Sequence, residues 1–261
     1  MKTVAIVQAR TGSTRFPSKV LQKIKGKSLL QIQIERMKHS KYIDEIVVAT
    51  TNNPNDDIII NLCKELSYPY YRGNEFDLLD RHYRAALKFD ADSVLKIPSD
   101  CPLIDPEIID KVIIEFFKHS ENYDYVSNLH PPTYPDGNDV EIMKFDTLEY
   151  AWLNAIESYQ REHTTPYIYE NPHKFKIANV EWETGLDYSK SLRLTVDFEQ
   201  DYQLVKAIYE ELESPERIFN LQDILNLIEN KPELRQINNI HNGKFWYNSL
   251  KDKVNVSEIL V

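Results

Sequence analysis

Cysteine is scarce. The 261 residues hold two, Cys63 and Cys101, with no metal-type spacing between them. That excludes a disulfide framework or a paired-cysteine zinc motif and suits a reducing compartment. Glycine is also sparse, at six residues, and no G-x-G-x-x-G occurs, which argues against a dinucleotide fold of the usual type. Gly26-Lys27-Ser28 resembles the tail of a Walker loop, but the earlier glycine that loop requires is Leu21 here. No apolar run approaches the roughly 18 residues of a membrane helix. The start MKTVAIVQAR lacks the apolar core of a signal peptide, so a cytoplasmic protein is expected. Aromatic residues make up 11% and apolar runs recur throughout, which excludes a disordered chain.

Charge is unevenly spread. The whole chain carries 31 basic and 41 acidic side chains, a net −10. Residues 1–41 nevertheless hold ten basic side chains against one acid, Glu35, so this segment is +9 and the remainder −19. An acidic surface argues against a nucleic-acid binder, which needs a broad cationic footprint. A compact cationic segment in an acidic chain suits a small, multiply charged anion. Lys23, Lys25, Lys38 and Lys41 are read as solvated surface charge.

The first two-thirds alternate strand and helix patterns. Strands are expected at 4–9, 45–51, 68–73 and 92–97, and helices at 28–40, 53–66, 77–89 and from Pro106 to about 118, the last capped by Asp105. This alternation predicts an α/β fold with a mostly parallel sheet covered on both faces. Further on, strand patterns are read at 139–145, 174–182 and 191–197. Helices are read at 145–156, 161–170, 199–212 and 220–230. No linker divides the chain, so a single domain over 1–261 is expected, with an inserted lobe near 128–185.

Ligands in such sheets bind beyond the carboxyl ends of the strands, where two polar loops fall. The first is Ala9-Arg10-Thr11-Gly12-Ser13-Thr14-Arg15-Phe16-Pro17-Ser18-Lys19. Gly12 permits close backbone approach to phosphate oxygens, Arg10 and Arg15 offer forked donors, and Lys19 offers a movable point charge. The second is Ser99-Asp100-Cys101-Pro102-Leu103-Ile104-Asp105, where Asp100 could hold Mg²⁺ against a phosphate. Cys101 is read as a small buried filler rather than a nucleophile. A further acid, Asp197, ends the apolar run Arg193-Leu194-Thr195-Val196 and could converge with Asp100 on one metal ion.

QARTGSTRFPSKVL followed by KGKSLL resembles the opening of the CTP-dependent cytidylyltransferases that activate acidic sugars, the CMP-Kdo and CMP-acylneuraminate synthetases. IPSDCPLIDP resembles their GDxPLI loop, with Ser99 where glycine is usual, and RLTVD resembles their later metal-binding segment. Asp77-Leu78-Leu79-Asp80-Arg81 and Gln160-Arg161-Glu162-His163-Thr164-Thr165-Pro166-Tyr167 are most similar to the branch of the spore-coat polysaccharide biosynthesis protein F. The resemblance spans roughly residues 3–205. Residues 206–261 carry no usable motif.

The resemblance implies a Rossmann-like, three-layer nucleotidyltransferase fold and transfer of CMP from CTP to an acidic sugar, with release of pyrophosphate. It implies that Arg10, Arg15 and Lys19 bind the triphosphate with the backbone of Ala9, Gly12 and Ser13, that Asp100 and Asp197 hold Mg²⁺, and that Arg81 and Ser99 lie near the nucleoside. Arg15, Lys19 and Asp100 are the expected catalytic residues. Glu141, Arg161, Glu162 and His163 are candidates for acceptor binding, and a homodimer is usual among similar enzymes. Two rivals stand beside this reading. One is a metal-dependent glycosyltransferase, for which Asp90-Ala91-Asp92 has the right pattern but precedes its strand. The other is a nucleotide-binding protein without catalysis.

Overall fold

The computed structural model describes residues 1–118 and 123–244. The chain opens on β1, Thr3–Gln8, buried from Thr3 to Val7, as a strand covered on both faces should be. After the loop that follows come a 3-10 turn at Lys19–Leu21 and a short hairpin of β2, Lys23–Ile24, and β3, Lys27–Ser28. Lys25 and Gly26 have φ of 48° and 85°, the two left-handed residues a type I′ turn requires. That turn is the role of Gly26. Ser28 caps α1, Leu29–Met37, by accepting from the Gln31 amide at 3.1 Å.

The expected alternation continues through β4, Glu45–Thr51, α2, Asp57–Glu65, and β5, Tyr70–Gly73. It runs on through α3, Leu78–Lys88, β6, Ser93–Lys96, and α4, Pro106–Lys118. Asp105 precedes α4 as anticipated, its Oδ1 accepting from the Glu107 amide at 2.9 Å. Then follow β7, Tyr125–Ser127, too short to show a pattern of its own, β8, Glu141–Lys144, α5, Phe145–Asn154, α6, Ser158–His163, and α7, Pro166–Tyr169. The chain closes with β9, Ile177–Asn179, α8, Glu199–Leu212, and α9, Leu221–Asn230.

One seven-stranded sheet runs β5-β4-β1-β6-β8-β7-β9. β5, β4, β1 and β6 are parallel. β8 lies antiparallel to β6 and to β7, and β9 pairs parallel with β7. The two-residue period of β1 sends Ala5 and Val7 to one face and Val4 and Ile6 to the other. The first pair packs against Ile32 of α1, Ile59 of α2, Ile109 of α4, Leu204 of α8 and Ile224 of α9. The second meets Leu79 of α3, Leu148 of α5 and Ile168 of α7. The fold is three-layered α/β. Within residues 128–185, β8 and β9 join the sheet while α5 and α7 cover the same face as α3.

Residues 191–197 are not a strand of this sheet. Leu192, Leu194 and Val196 are buried, which explains the strand-like pattern, but their backbone partners are loops. Leu194 N donates to Asp136 O at 2.7 Å, Asp136 N to Leu192 O at 3.2 Å and Val196 N to Asp100 O at 2.8 Å. Apolar alternation reports burial and cannot say what accepts the hydrogen bonds.

His82 of α3 is fully buried. Its Nδ1 lies 3.0 Å from the Leu78 carbonyl, and its Nε2 has no partner among the described residues. Burial pulls its pKa down to about 3. The unfolded chain, with a His pKa of about 6.5, therefore binds a proton that the folded chain refuses. Stability is complete above about pH 6.5 and falls as pH drops towards 3, by roughly 1 kcal/mol per pH unit from this group. Urea melts between pH 7 and 5 should show a slope that includes this share, and His82→Leu should lower it by that amount while His130 and His163, also depressed by burial, keep the rest. An equal slope in the variant would assign the titration elsewhere.

Candidate active site

From β1 the chain moves outward to β4 and β5, then crosses back through α3 to β6 on the other side of β1, so the strand order reverses there and a crevice opens at the carboxyl ends of the strands. A cleft of about 640 Å³ occupies this place. Ala9, Arg10, Gly12, Ser13, Arg15, Lys19, Arg81, Ser99, Asp100, Glu141, Glu162, His163 and Asp197 all line it. Arg161 does not.

The loop after β1 is held from beneath by Asp56. Its Oδ1 accepts from the Thr11 amide and hydroxyl, both at 2.7 Å, and its Oδ2 from the Thr51 hydroxyl. The amides of Ser13 and Ser18 close onto the Thr11 carbonyl at 2.9 and 3.0 Å. The Gly12 and Thr14 amides have no acceptor among the described residues. A Cβ at Gly12 would have only Glu75 Oε1 nearby, at 3.7 Å, so the protein itself does not demand glycine there.

Asp100 and Asp197, remote in sequence, meet at Lys19. The ammonium lies 2.9 Å from Asp100 Oδ2 and 2.8 Å from Asp197 Oδ1. Arg15 Nη2 is 2.7 Å from the same Asp197 oxygen, and Arg193 Nη2 is 2.7 Å from Oδ2. Burial opposes the charge on Lys19, but the two carboxylates outweigh it and its pKa rises. Burial likewise opposes the charge on Asp197, and Lys19, Arg15 and Arg193 override it, holding the carboxyl at about 2. Arg193 also reaches Asp136 at 2.6 Å and Asp201 at 3.2 Å.

Asp136 and Asp139 line the same cleft. Burial raises the pKa of both, reinforced for Asp136 by Asp139 and for Asp139 by Asp100, which brings Asp139 to about 6. Asp136 is visible in sequence only as part of the turn-like PDGND. Its position depends on Gly137, which has φ +106° and whose Cβ would stand 2.6 Å from both Leu194 C and Thr195 N.

At the other end, Glu141 of β8 faces its register partner Lys96 of β6. The two form a buried ion pair, and Tyr125 Oη donates to Glu141 at 2.7 Å. Burial would raise the Glu141 pKa, but Lys96 outweighs it and the carboxylate is held. Burial pulls His163 down to about 4 and His130 to about 4, so both rings face the cleft neutral at pH 7. Arg161 instead ties α6 to the start of α3. Its Nε and Nη2 donate to Asp77 Oδ2 at 2.9 and 2.6 Å, and Nη1 to Trp152 O at 2.7 Å. Asp77 in turn caps α3 through the Asp80 amide at 2.8 Å.

Arg81 sits deep in α3, its Nη1 donating to Asn74 O at 2.9 Å. Burial, then the neighbouring Arg10, pulls its pKa to about 10. Gly73 makes room for it, since a Cβ there would stand 3.0 Å from Arg81 Cγ. Cys101 is buried and its thiol pKa raised by that burial, as suits a filler. Asp90-Ala91-Asp92 precedes β6, with Asp92 Oδ2 accepting from the Lys2 amide at 2.6 Å, at the opposite end of the sheet from the cleft. Among the described residues no helix is long and apolar enough to cross a membrane.

The chain is 41% identical to an uncharacterized protein of Methanocaldococcus jannaschii over 91% of this chain and 95% of that one. It is 29% identical to the spore coat polysaccharide biosynthesis protein SpsF of Bacillus subtilis, over 87% and 94%. A solved cytidylyltransferase structure from Leptospira borgpetersenii superposes with a TM-score of 0.84 at 33% identity, covering 90% of this chain and 97% of that one. The family model described as Cytidylyltransferase matches residues 4–248. The match takes in the whole described cleft and continues past residue 205, where recognisable motifs end. The chain belongs to the cytidylyltransferase family and is a CTP-dependent nucleotidyltransferase.

Proposed function

We propose that this cleft transfers a cytidylyl group from CTP to a hydroxyl of an acidic sugar, releasing pyrophosphate, in the building of a surface polysaccharide. The observation that carries this reading is the meeting of Asp100 and Asp197 at Lys19, beside Arg15 and the open amides of the Gly12 loop. In-line attack of an acceptor oxygen on the α-phosphorus needs no covalent bond to the protein. It needs alignment and neutralisation of charge. Arg10, Arg15 and Lys19 supply that charge to the triphosphate, with Ala9, Gly12 and Ser13 offering backbone and Arg81 and Ser99 lying towards the nucleoside. Glu162 and His163 face the acceptor, and Glu141 shapes its floor while paired to Lys96.

The donor set fits Mg²⁺. That ion takes one or two carboxylates and completes its shell with phosphate and water. Asp100 and Asp197 provide two, and the Lys19 ammonium marks the space between them as one where positive charge is stabilised. A bound Mg²⁺ would draw charge from the phosphoryl oxygens. We further propose residues 128–185 as the acceptor-facing part of a single domain, a homodimer, and a cytoplasmic location.

A thermal-shift screen with the four nucleoside triphosphates and Mg²⁺ tests this reading. CTP at 100 times its Kd should add about 2.7 kcal/mol of stability; a chain that no triphosphate stabilises would refute it. Gly12→Ala should leave the melting temperature unchanged and weaken CTP binding about tenfold, because the methyl intrudes only where backbone meets phosphate. Isothermal titration and a melt of the same sample check both halves.

A further inference from the structure

We infer that Lys244 is an anion-binding arm of this cleft, contacting the terminal phosphoryl oxygens of bound CTP and of the departing pyrophosphate. The inference rests on the cytidylyl-transfer reading and extends it to a segment in which the sequence shows no motif.

Lys244 lines the cleft together with Arg15, Lys19 and Asp197. It is brought there by a 3-10 turn at Asn239–His241, and that turn is clamped onto the stretch carrying Asp197. The buried Asn238 donates to Arg193 O at 2.9 Å and to Asp201 Oδ1 at 2.8 Å. Asn242 donates to Ser191 O at 3.0 Å, and Arg193 Nη1 to the Lys244 carbonyl at 3.1 Å. The His241 ring stacks on Phe198, the residue after Asp197, with centroids 3.9 Å apart and planes 7° from parallel. The position of Lys244 therefore follows from the same network that places Asp197.

Lys19, Arg15 and Arg193 each face a carboxylate, and Lys96 faces Glu141. Lys244, like Arg10 and Arg81 in the same cleft, faces no carboxylate at ion-pair distance among the described residues. Its ammonium lies 3.1 Å from His241 Nδ1 and 5.3 Å from the Phe198 centroid, while the Arg15 guanidinium carbon is also 5.3 Å from that ring. Burial lowers the His241 pKa, so the ring is neutral at pH 7. Nδ1 then accepts from Lys244, and the proton on Nε2 points to Gln200 Oε1 at 3.1 Å. A neutral acceptor orients an ammonium without cancelling its charge. Such a cation, sharing a ring with Arg15 beside Asp197, is suited to a polyphosphate, whose charge is concentrated where a nucleoside's is not.

The test is isothermal titration of the full chain, with Mg²⁺, against CTP, pyrophosphate and CMP. Lys244→Gln should weaken CTP and pyrophosphate about tenfold and leave CMP within twofold, and Lys244→Arg should restore most of the loss. Equal weakening of CMP and CTP, or unchanged CTP binding by Lys244→Gln, overturns the inference while the functional reading stands. A wild-type chain that binds no CTP overturns both.

Discussion

Asp100→Asn should lower turnover by about 10²-fold or more while the protein stays folded. The carboxylate faces the Lys19 ammonium at 2.9 Å and belongs to the pair proposed to hold Mg²⁺. Replacing it with a neutral amide of the same shape removes charge from the place where transition-state charge is balanced, at a cost of about 3 kcal/mol. The fold should tolerate the change because Asp100 is anchored through its backbone. Its carbonyl accepts from Val196 N at 2.8 Å and from Thr195 Oγ1 at 3.0 Å, and asparagine keeps both. Pyrophosphate release with an acceptor that turns over in the wild type is the measurement. Near-normal release by the variant would remove Asp100 from the chemistry.

Gly137→Ala should be the most damaging small substitution, costing about 3 kcal/mol or more and lowering the melting temperature by roughly 6–12 °C. Two effects add. The residue sits at φ +106°, where an L side chain is strained, and the new methyl would be 2.6 Å from two backbone atoms of Leu194–Thr195. Backbone on both sides cannot swing away as a flexible side chain would. The strain falls between the stretch carrying Asp136 and Asp139 and the stretch carrying Arg193 and Asp197, so activity should fall along with stability. Calorimetry checks the first effect, and an unchanged melting temperature would mean the two segments separate at little cost.

The parallel half of the sheet was legible because β1, β4 and β6 are largely buried on both faces and the segments between the strands carry apolar residues at helical spacing. The cation loop after β1 and Asp100 after β6 followed from that topology. Three features did not follow. Residues 191–197 have the alternation of a strand, yet loops accept their hydrogen bonds. Arg161 lies in a stretch that resembles a family motif, but an N-cap carboxylate, Asp77, claims its guanidinium. Asp56, which holds the Thr11 turn, looks in sequence like any acid opening a helix. In each case the partner is distant in the chain, and a local pattern carries no record of it. The contribution of residues 238–244 was hidden for the same reason, since its meaning lies in the contact with Arg193, Asp201 and Phe198.

The most direct measurement is product analysis after incubating the protein with CTP, Mg²⁺ and a panel of sugar acids, quantifying pyrophosphate and the cytidine-containing product together. Cytidylyl transfer requires one pyrophosphate for each CMP-linked sugar formed. Release of a nucleoside diphosphate from a nucleotide-sugar, or CTP bound and left intact with every acceptor, would contradict the proposed reaction.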